Sequence, residues 1–282
     1  MAARVRRFDA ASYTRQAERD WSRAAPHFGK ISERYYVPVT RSFCAFAGLR
    51  SGQSVLDVAC GPGISTRQAA ASVAPAGRVV GIDISSAMLR VADRTAGPRG
   101  RSTFKVMDAE TLLFADESFD AVICHLGLMF FAHPGKALKE MSRVLRPGGP
   151  MACLVLGDRS RMAFTNILMP LLPRYFPRLK ASRAPRLDGF ASERKLERAF
   201  ARAGMRGVSS RRLTGTYPVA SAQEYWSLVR KGFGRVGPML AALPADDRRA
   251  LKRELFAELK KHEKRGRLEI PYEFVMARGR KR

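Results

Sequence analysis

The chain has 282 residues, of which 46% are hydrophobic and 27% are charged. This apolar content is enough for a full globular core, and because no run of about 18 apolar residues occurs, no membrane-spanning helix is expected. The basic stretch at residues 1–9 has no apolar segment behind it. No signal peptide is therefore expected, and the sequence predicts a cytoplasmic location.

The balance of charge is strongly basic, with 51 lysines and arginines against 25 acidic residues and a net charge of +26. Residues 1–150 carry a net +8, and residues 151–282 a net +18. Such a field attracts nucleic acid, an anionic membrane surface or acidic small molecules. The alternative is compositional, because 39 of the 51 basic residues are arginines, a bias that GC-rich coding alone produces.

Four cysteines occur, and no two of them form a C-x-x-C pair: Cys44, Cys60, Cys124 and Cys153. Each lies in an apolar stretch, where a free thiol behaves as a small hydrophobic group. No metal site and no disulfide are therefore expected.

Hydrophobic periodicity predicts the elements in chain order. Residues 10–50 are predicted to be helical, with breaks near Pro26 and Gly29 and again at Pro38. Strands and helices then alternate, with strands at 54–59, 78–83, 103–107, 120–124 and 151–156 and helices at 64–73, 85–96 and 134–145. The pattern loosens afterwards, into short helices and loops at 159–190, a helix at 193–203, a strand at 208–219, mostly helix at 221–264 and a strand at 270–277.

Strands that alternate with helices of these lengths predict βαβ units. We therefore expect a doubly wound α/β fold with a mostly parallel, seven-stranded, Rossmann-like sheet. The predicted divisions are an N-terminal helical segment at 1–50, a ligand-binding core at 51–157, and the rest of the sheet with helical insertions at 158–282. The insertions are predicted to form a lid over the carboxyl edge of the sheet, where open α/β sheets bind ligands.

A glycine-rich turn with an acid on either side follows the first predicted strand. Gly61-Pro62-Gly63 lets the backbone approach a ligand closely, and the next helix offers free N–H groups. Asp83 ends the next strand, 20 residues beyond Gly63, a spacing that suits a carboxylate bound to two ribose hydroxyls. Asp57 precedes the turn and would repel a pyrophosphate but attract an ammonium group.

These residues resemble the motifs of class I S-adenosylmethionine-dependent methyltransferases, in the subgroup related to the ubiquinone and menaquinone C-methyltransferases. The resemblance covers residues 50–156 and rests on five segments in order, at 55–63, 83, 107–110, 118–122 and 143–149. It implies S-adenosylmethionine as cofactor and S-adenosylhomocysteine as product.

The resemblance also implies which residues touch the cofactor. Asp57, Ala59, Gly61 and Gly63 would lie by the methionine part. Asp83 would hold the ribose, and Ile84 and Met88 would pack on the adenine. Asp108 would bind the exocyclic amine, with Ala109 and Glu110 beside the ring.

His125, just past the fourth strand, would face the methyl donor and the acceptor. It titrates near neutral pH, so it is the candidate general base. The candidate acceptor contacts are Phe130 and Phe131 after the fourth strand, and Phe164 and Trp226 in the predicted lid. The alternative for all four is core packing.

The predicted reaction is in-line displacement of the sulfonium methyl by a small, apolar or aromatic acceptor, with oxygen, nitrogen and carbon nucleophiles left open. The alternative is an RNA or other nucleic-acid methyltransferase that uses the basic surface. Against it, Cys124-His125-Leu126-Gly127 stands where the D/N-P-P-Y/F/W motif of such enzymes would follow the fourth strand. A non-enzymatic binder with the same fold is disfavoured by the intact motifs. Nothing in the sequence indicates the oligomeric state.

Overall fold

The computed structural model describes residues 8–96, 101–158, 161–162, 167–177, 189–232, 234 and 236–282. The strands are β1 (Ser54–Val58), β2 (Arg78–Asp83), β3 (Ser102–Val106), β4 (Ala121–His125), β5 (Pro150–Leu156), β6 (Met205–Val219), β7 (Glu263–Lys264) and β8 (Arg267–Lys281). The helices are α1 (Ala10–Ile31), α2 (Val37–Ala47), α3 (Ile64–Val73), α4 (Ser86–Thr95), α5 (Pro134–Val144), α6 (Leu172–Tyr175), α7 (Glu193–Arg202), α8 (Ala222–Gly232), α9 (Val236–Ala241) and α10 (Ala245–Lys260). A π-helical turn occupies Ser32–Tyr36, and a 3₁₀ turn occupies Leu128–Phe130.

The strands form one mixed sheet in the order β3-β2-β1-β4-β5-β8-β6, with the two-residue β7 paired to β8. The first five strands of this order run parallel, and β8 is antiparallel to both β5 and β6. The predicted doubly wound α/β sheet is confirmed. The carboxyl ends of β1, β2 and β4 lie side by side, as the βαβ connections require.

Two apolar layers cover the sheet. One lies under α2 and α3 and includes Val55, Phe43 and Leu154. The other lies under α5 and α7 and includes Leu56 and Met141. Successive residues of β1 thus point to opposite layers, as the pleat of a strand dictates. All four cysteines are buried free thiols in these layers or beside them.

The predicted helix break near Pro26 and Gly29 is wrong, because α1 runs unbroken through both residues. Gly29 serves close packing instead, since a Cβ there would lie 2.8 Å from Cγ1 of Val91 on α4. The predicted break at Pro38 is also wrong, because the π-helical turn Ser32–Tyr36 leads from α1 into α2 without a non-helical residue. Pro38 follows in the first turn of α2, where its missing N–H costs no helical hydrogen bond.

The last two long strands extend beyond their predicted ends. β6 begins at Met205 rather than 208, and β8 spans Arg267–Lys281 rather than 270–277. In the added segments, charged residues and glycines interrupt the apolar pattern that predicts a strand. Thirteen residue pairs between β6 and β8 hold these segments extended. None of the helices in the described ranges is long and apolar enough to cross a bilayer.

Between β6 and β7, the segment with α8, α9 and α10 packs against the N-terminal helix α1. Leu240, Leu251, Leu255 and Leu259 from this segment belong to the same apolar layer as α2. The insertion therefore continues the core of that face, and its helix α8 packs on α1.

Candidate active site

Asp57 lies near the end of β1 and is fully buried. Its Oδ2 accepts hydrogen bonds of 2.7 Å from the hydroxyls of Ser65 and Thr66 at the start of α3. Oδ1 is also buried, and no described residue donates a hydrogen bond to it. Burial raises the pKa of Asp57 to about 7, and nearby Asp83 adds to the rise. The hydrogen bonds from the two hydroxyls lower the pKa but do not offset burial. A buried acceptor of this kind is a binding position for a cationic donor.

The turn after β1 is held in the left-handed region, with φ of +56° at Ala59, +54° at Gly61 and +84° at Gly63. A Cβ at Gly63 would lie 2.8 Å from that of Ala92, so glycine is needed there for the helix to pack closely. A Cβ at Gly61 would meet nothing within 4 Å. The backbone at Gly61 therefore borders open space, which a ligand can fill.

Asp83, the last residue of β2, joins this turn to the start of α4. Its Oδ2 accepts from the N–H of Gly61 and its Oδ1 from the N–H of Ser85, both at 2.9 Å. Burial raises the pKa of Asp83 to about 6, although these backbone N–H groups stabilise the carboxylate. The carboxylate keeps capacity for a further donor, because it accepts up to about four hydrogen bonds.

The segment after β3 is fixed by its own turn. Oδ1 of Asp108 accepts from the N–H of Glu110 at 2.8 Å, and the N–H of Met107 donates to the Asp83 carbonyl at 3.0 Å. Ala109 is buried beside them. Ile84 is half-buried, and Met88 is buried in the first turn of α4, whose N-cap is Ser85.

Glu110 has a partner that the sequence did not indicate. Its Oε1 accepts from the N–H of His133 at 2.7 Å, and its Oε2 lies 2.9 Å from Nδ1 of the same residue. His133 precedes α5. The carboxylate of Glu110 thus fastens the start of α5 to the segment after β3.

His125 ends β4 and is buried at 8% exposure. Its Nε2 lies 3.2 Å from Oγ1 of Thr40 on α2, and its ring packs 5.5 Å from that of Phe43, centre to centre. Burial lowers the pKa of His125 to about 4, so the ring is neutral at physiological pH. Leu126 follows with φ of +60°, a strained conformation for a large residue at the end of a strand.

A row of aromatic rings begins next to His125. The ring of Tyr36 lies 6.5 Å from that of His125 and 6.2 Å from that of Phe28. Phe28 contacts Trp21 at 5.3 Å, and Trp21 contacts Phe130 at 5.1 Å. We call Trp21, Phe28, Tyr36 and Phe130 the aromatic wall.

The aromatic wall joins α1 and the π-helical turn to the loop after β4. Near it, the hydroxyls of Ser22 and Ser85 lie 2.8 Å apart, so α1 also meets the start of α4 beside Asp83. Trp21, Phe28 and Tyr36 recur at roughly helical intervals in the chain, but this spacing does not indicate which edge of the sheet they reach.

The other predicted acceptor contacts are Phe131, Trp226 and Phe164. Phe131 is half-buried, and its ring tip packs near Gly127 after β4. Trp226 is 3% exposed in the apolar layer, with the guanidinium of Arg230 5.9 Å above its ring. Phe164 lies outside the described residues.

The sequence of the chain is similar to those of known methyltransferases. A family described as a methyltransferase domain matches residues 55–149. Demethylmenaquinone methyltransferase of Staphylococcus aureus (strain JH9) is 34% identical over 178 residues, which are 60% of this chain and 74% of the relative.

Solved structures share the fold. A SAM-dependent methyltransferase from Thermotoga maritima superposes with a TM-score of 0.54 at 16% identity, covering 94% of this chain and 100% of that one. Phosphoethanolamine N-methyltransferase 2 of Haemonchus contortus, in complex with phosphomonomethylethanolamine and S-adenosylhomocysteine, gives 0.53 at 18% identity, with 86% of this chain and 52% of that one covered. At these identities the likeness establishes the architecture alone.

Proposed function

Because the chain belongs to the S-adenosylmethionine-dependent methyltransferases, we propose that it methylates a small, largely apolar aromatic acceptor beside the aromatic wall. The observation that carries the proposal is the unbroken row of ring contacts from Phe130 to His125. Phe130 lies in the loop after β4, and His125 is the last residue of β4.

The buried acids fit the cofactor. In the proposed arrangement, Oδ1 of Asp57 accepts from the α-ammonium group, which supplies the donor that this buried oxygen otherwise lacks. Asp83 accepts from the ribose hydroxyls with its remaining lone pairs. Ile84, Met88 and Ala109 flank the adenine, and Asp108 accepts from its amine. Bound S-adenosylmethionine supplies a methyl group already activated on a sulfonium, so the protein contributes mainly proximity and alignment.

The chemistry of the wall favours a flat, apolar acceptor. Trp21, Phe28 and Phe130 present ring faces and edges, and aromatic pairs in such geometries add about 0.5–1.5 kcal/mol beyond area burial. Flanking rings would also exclude water from the reacting atoms. The 34% identical relative is named for a quinone substrate, which supports a phenol or quinol ring as the acceptor.

His125 and Tyr36 are the polar groups at the inner end of the wall. A neutral imidazole with a pKa of about 4 is a weak base at neutral pH. We assign His125 a positioning role, as a hydrogen-bonding partner for an acceptor hydroxyl. The proton of that hydroxyl would then leave to water.

The proposed function is tested by a methyl-transfer screen with radiolabelled S-adenosylmethionine over quinols, simple phenols, amines and RNA. Phenols or quinols are expected to be methylated, and RNA is not. Transfer to RNA alone would overturn the proposal and would favour the alternative that the net charge of +26 suggests.

The two tryptophans of the chain provide a matched pair of variants for the same assay. Trp21→Phe is expected to raise the KM for the acceptor at least fivefold, with affinity for S-adenosylhomocysteine within twofold of wild type. Trp226→Phe, in the apolar layer, is expected to leave the acceptor KM unchanged. Equal effects of the two substitutions on KM would contradict an acceptor site at the aromatic wall.

A further inference from the structure

A cavity of about 230 Å³ lies at the opposite edge of the sheet from the proposed active site. It is bordered by the amino ends of β1, β4 and β5, and its lining includes Arg50, Arg146 and Arg280. We call it the arginine cavity. The five-residue strands β1 and β4 separate it from the carboxyl edge by about 13 Å at 3.3 Å per residue.

Three glycines line the cavity: Gly48, Gly148 and Gly149. Gly48 and Gly148 have φ of +70° and +74°, in the region that L side chains rarely adopt. A Cβ at Gly148 would meet nothing within 4 Å, so its bare backbone leaves room at the rim. Gly149 is closed in, since a Cβ there would lie 2.7 Å from the Asp120 carbonyl oxygen.

The charges that line the cavity do not cancel. The acidic residue in the lining is Asp120, whose Oδ2 accepts from the N–H of Ser54 at 2.8 Å and whose Oδ1 pairs with Arg146. Partial burial opposes ionisation, but the Ser54 N–H and Arg146 hold the pKa of Asp120 below its usual value. Asp120 therefore neutralises Arg146, and the positive charges of Arg50 and Arg280 remain.

The described contacts leave hydrogen-bond donors for a ligand. Nη1 of Arg280 donates a hydrogen bond of 2.8 Å to the Gly148 carbonyl. A guanidinium has five N–H donors, so others remain for a ligand. The side-chain oxygen of Gln53 accepts from the N–H of Arg50 at 2.7 Å, so the amide nitrogen of Gln53 keeps its donors. Next to Gly48, Arg278 donates to the Phe46 carbonyl and stacks on the Phe46 ring. A further arginine therefore lies beside the arginine cavity.

We propose that the arginine cavity is a binding site for a phosphate group, carried by a small phosphate monoester or by a lipid headgroup. Planar guanidinium groups match the oxygens of a phosphate with paired N–H bonds. The cavity is smaller than the roughly 300–1,000 Å³ of a cleft that encloses a whole organic ligand. Only the anionic group enters, and the rest of the molecule stays in solvent.

The test measures binding of inorganic phosphate and glycerol 3-phosphate by calorimetry, and of vesicles containing 20% phosphatidic acid by co-sedimentation. The variant is Arg50→Gln with Arg280→Gln. The matched control is Arg94→Gln with Arg198→Gln, which removes the same charge from exposed positions on α4 and α7. Arg50→Gln alone is measured as well, because the described contacts of Arg50 involve its backbone and not its guanidinium. Binding of S-adenosylhomocysteine verifies that each variant is folded.

Phosphate-group binding is expected to weaken at least tenfold in the cavity double variant and at least threefold in Arg50→Gln, and to stay within twofold in the control. Loss of binding to the two soluble probes identifies a soluble monoester as the source. Loss of vesicle binding alone identifies a lipid headgroup. An equal loss in the control and cavity double variants, or the absence of saturable binding to all three probes, would overturn the proposal, and neither result bears on the methyl-transfer reaction.

Discussion

Binding of S-adenosylhomocysteine is expected to release protons from Asp57 and Asp83. Without a ligand, burial holds the pKa of Asp57 at about 7 and that of Asp83 at about 6. An ammonium group beside Oδ1 of Asp57 favours the ionised carboxyl, so its proton must leave when the ligand binds. The affinity should therefore fall as the pH is lowered through 7.

The two pKa values set the size of the effect. Asp57 goes from about 75% ionised at pH 7.5 to about 10% at pH 6, which weakens binding about eightfold. Asp83 goes from nearly full ionisation to about half, which adds a factor of about two. The ligand's own carboxylate and the ionised Asp57 favour the charged form of its ammonium group, which therefore stays charged when bound over this range. A total change of about 15-fold is expected for the wild type.

The perturbation that isolates Asp57 is Asp57→Asn. Loss of a charge-assisted hydrogen bond costs about 1.5–3 kcal/mol, or about 10-fold to 150-fold in affinity at pH 7.5. The remaining dependence on pH should shrink to the twofold contribution of Asp83. Calorimetric titration in two buffers of different ionisation enthalpy measures affinity and proton release together, and about 1.4 protons should be released per bound ligand at pH 6.

The pH dependence of the free energy of unfolding of the unliganded protein provides a control. A carboxyl whose folded pKa is raised stabilises the fold fully below its unfolded pKa of 3.8, and this contribution is lost as the pH rises through 7. Asp57→Asn should therefore flatten the fall in unfolding free energy between pH 5 and pH 8. An affinity independent of pH between 6 and 7.5, or an unchanged proton release in Asp57→Asn, would refute the assignment of Asp57 to the ammonium group.

Three further results are expected. Trp226→Ala should lower the free energy of unfolding by about 3–5 kcal/mol, as for a large buried ring, and a thermal melt with unchanged stability would contradict its place in the apolar layer. Glu110→Gln should destabilise by about 1–3 kcal/mol in chemical denaturation through its bonds to His133. A large loss of cofactor affinity at full stability would instead assign Glu110 to the cofactor. The methyl-transfer rate should show no inflection from His125 between pH 5.5 and 7, and an inflection near 6.5 that vanishes in His125→Gln would identify a base.

The α/β alternation of the core could be predicted because it depends on local pattern. Buried parallel strands are short apolar runs, and the turn after β1 needs glycine at Gly61 and Gly63. Both signals lie within a few residues in the chain, so the positions of Asp57 and Asp83 at the ends of β1 and β2 followed from the sequence. The ends of β6 and β8 could not be predicted in this way, because their charged residues are held extended by each other.

The surroundings of the site depend on contacts between distant segments. Nothing local indicated that Glu110 would bind His133, or that Thr40 of α2 would lie 3.2 Å from His125 at the end of β4. The sequence by itself determined the fold class, the cofactor and the two acids, because glycine conformation, strand pattern and acid spacing are properties of short segments. Only the tertiary structure decided that Trp21 and Phe130 meet. It also decided that burial raises the pKa of Asp57 and lowers that of His125, which favours the neutral form of each. Burial and ring contacts are set by residues far apart in the chain, and these come together only when the layers close over the sheet.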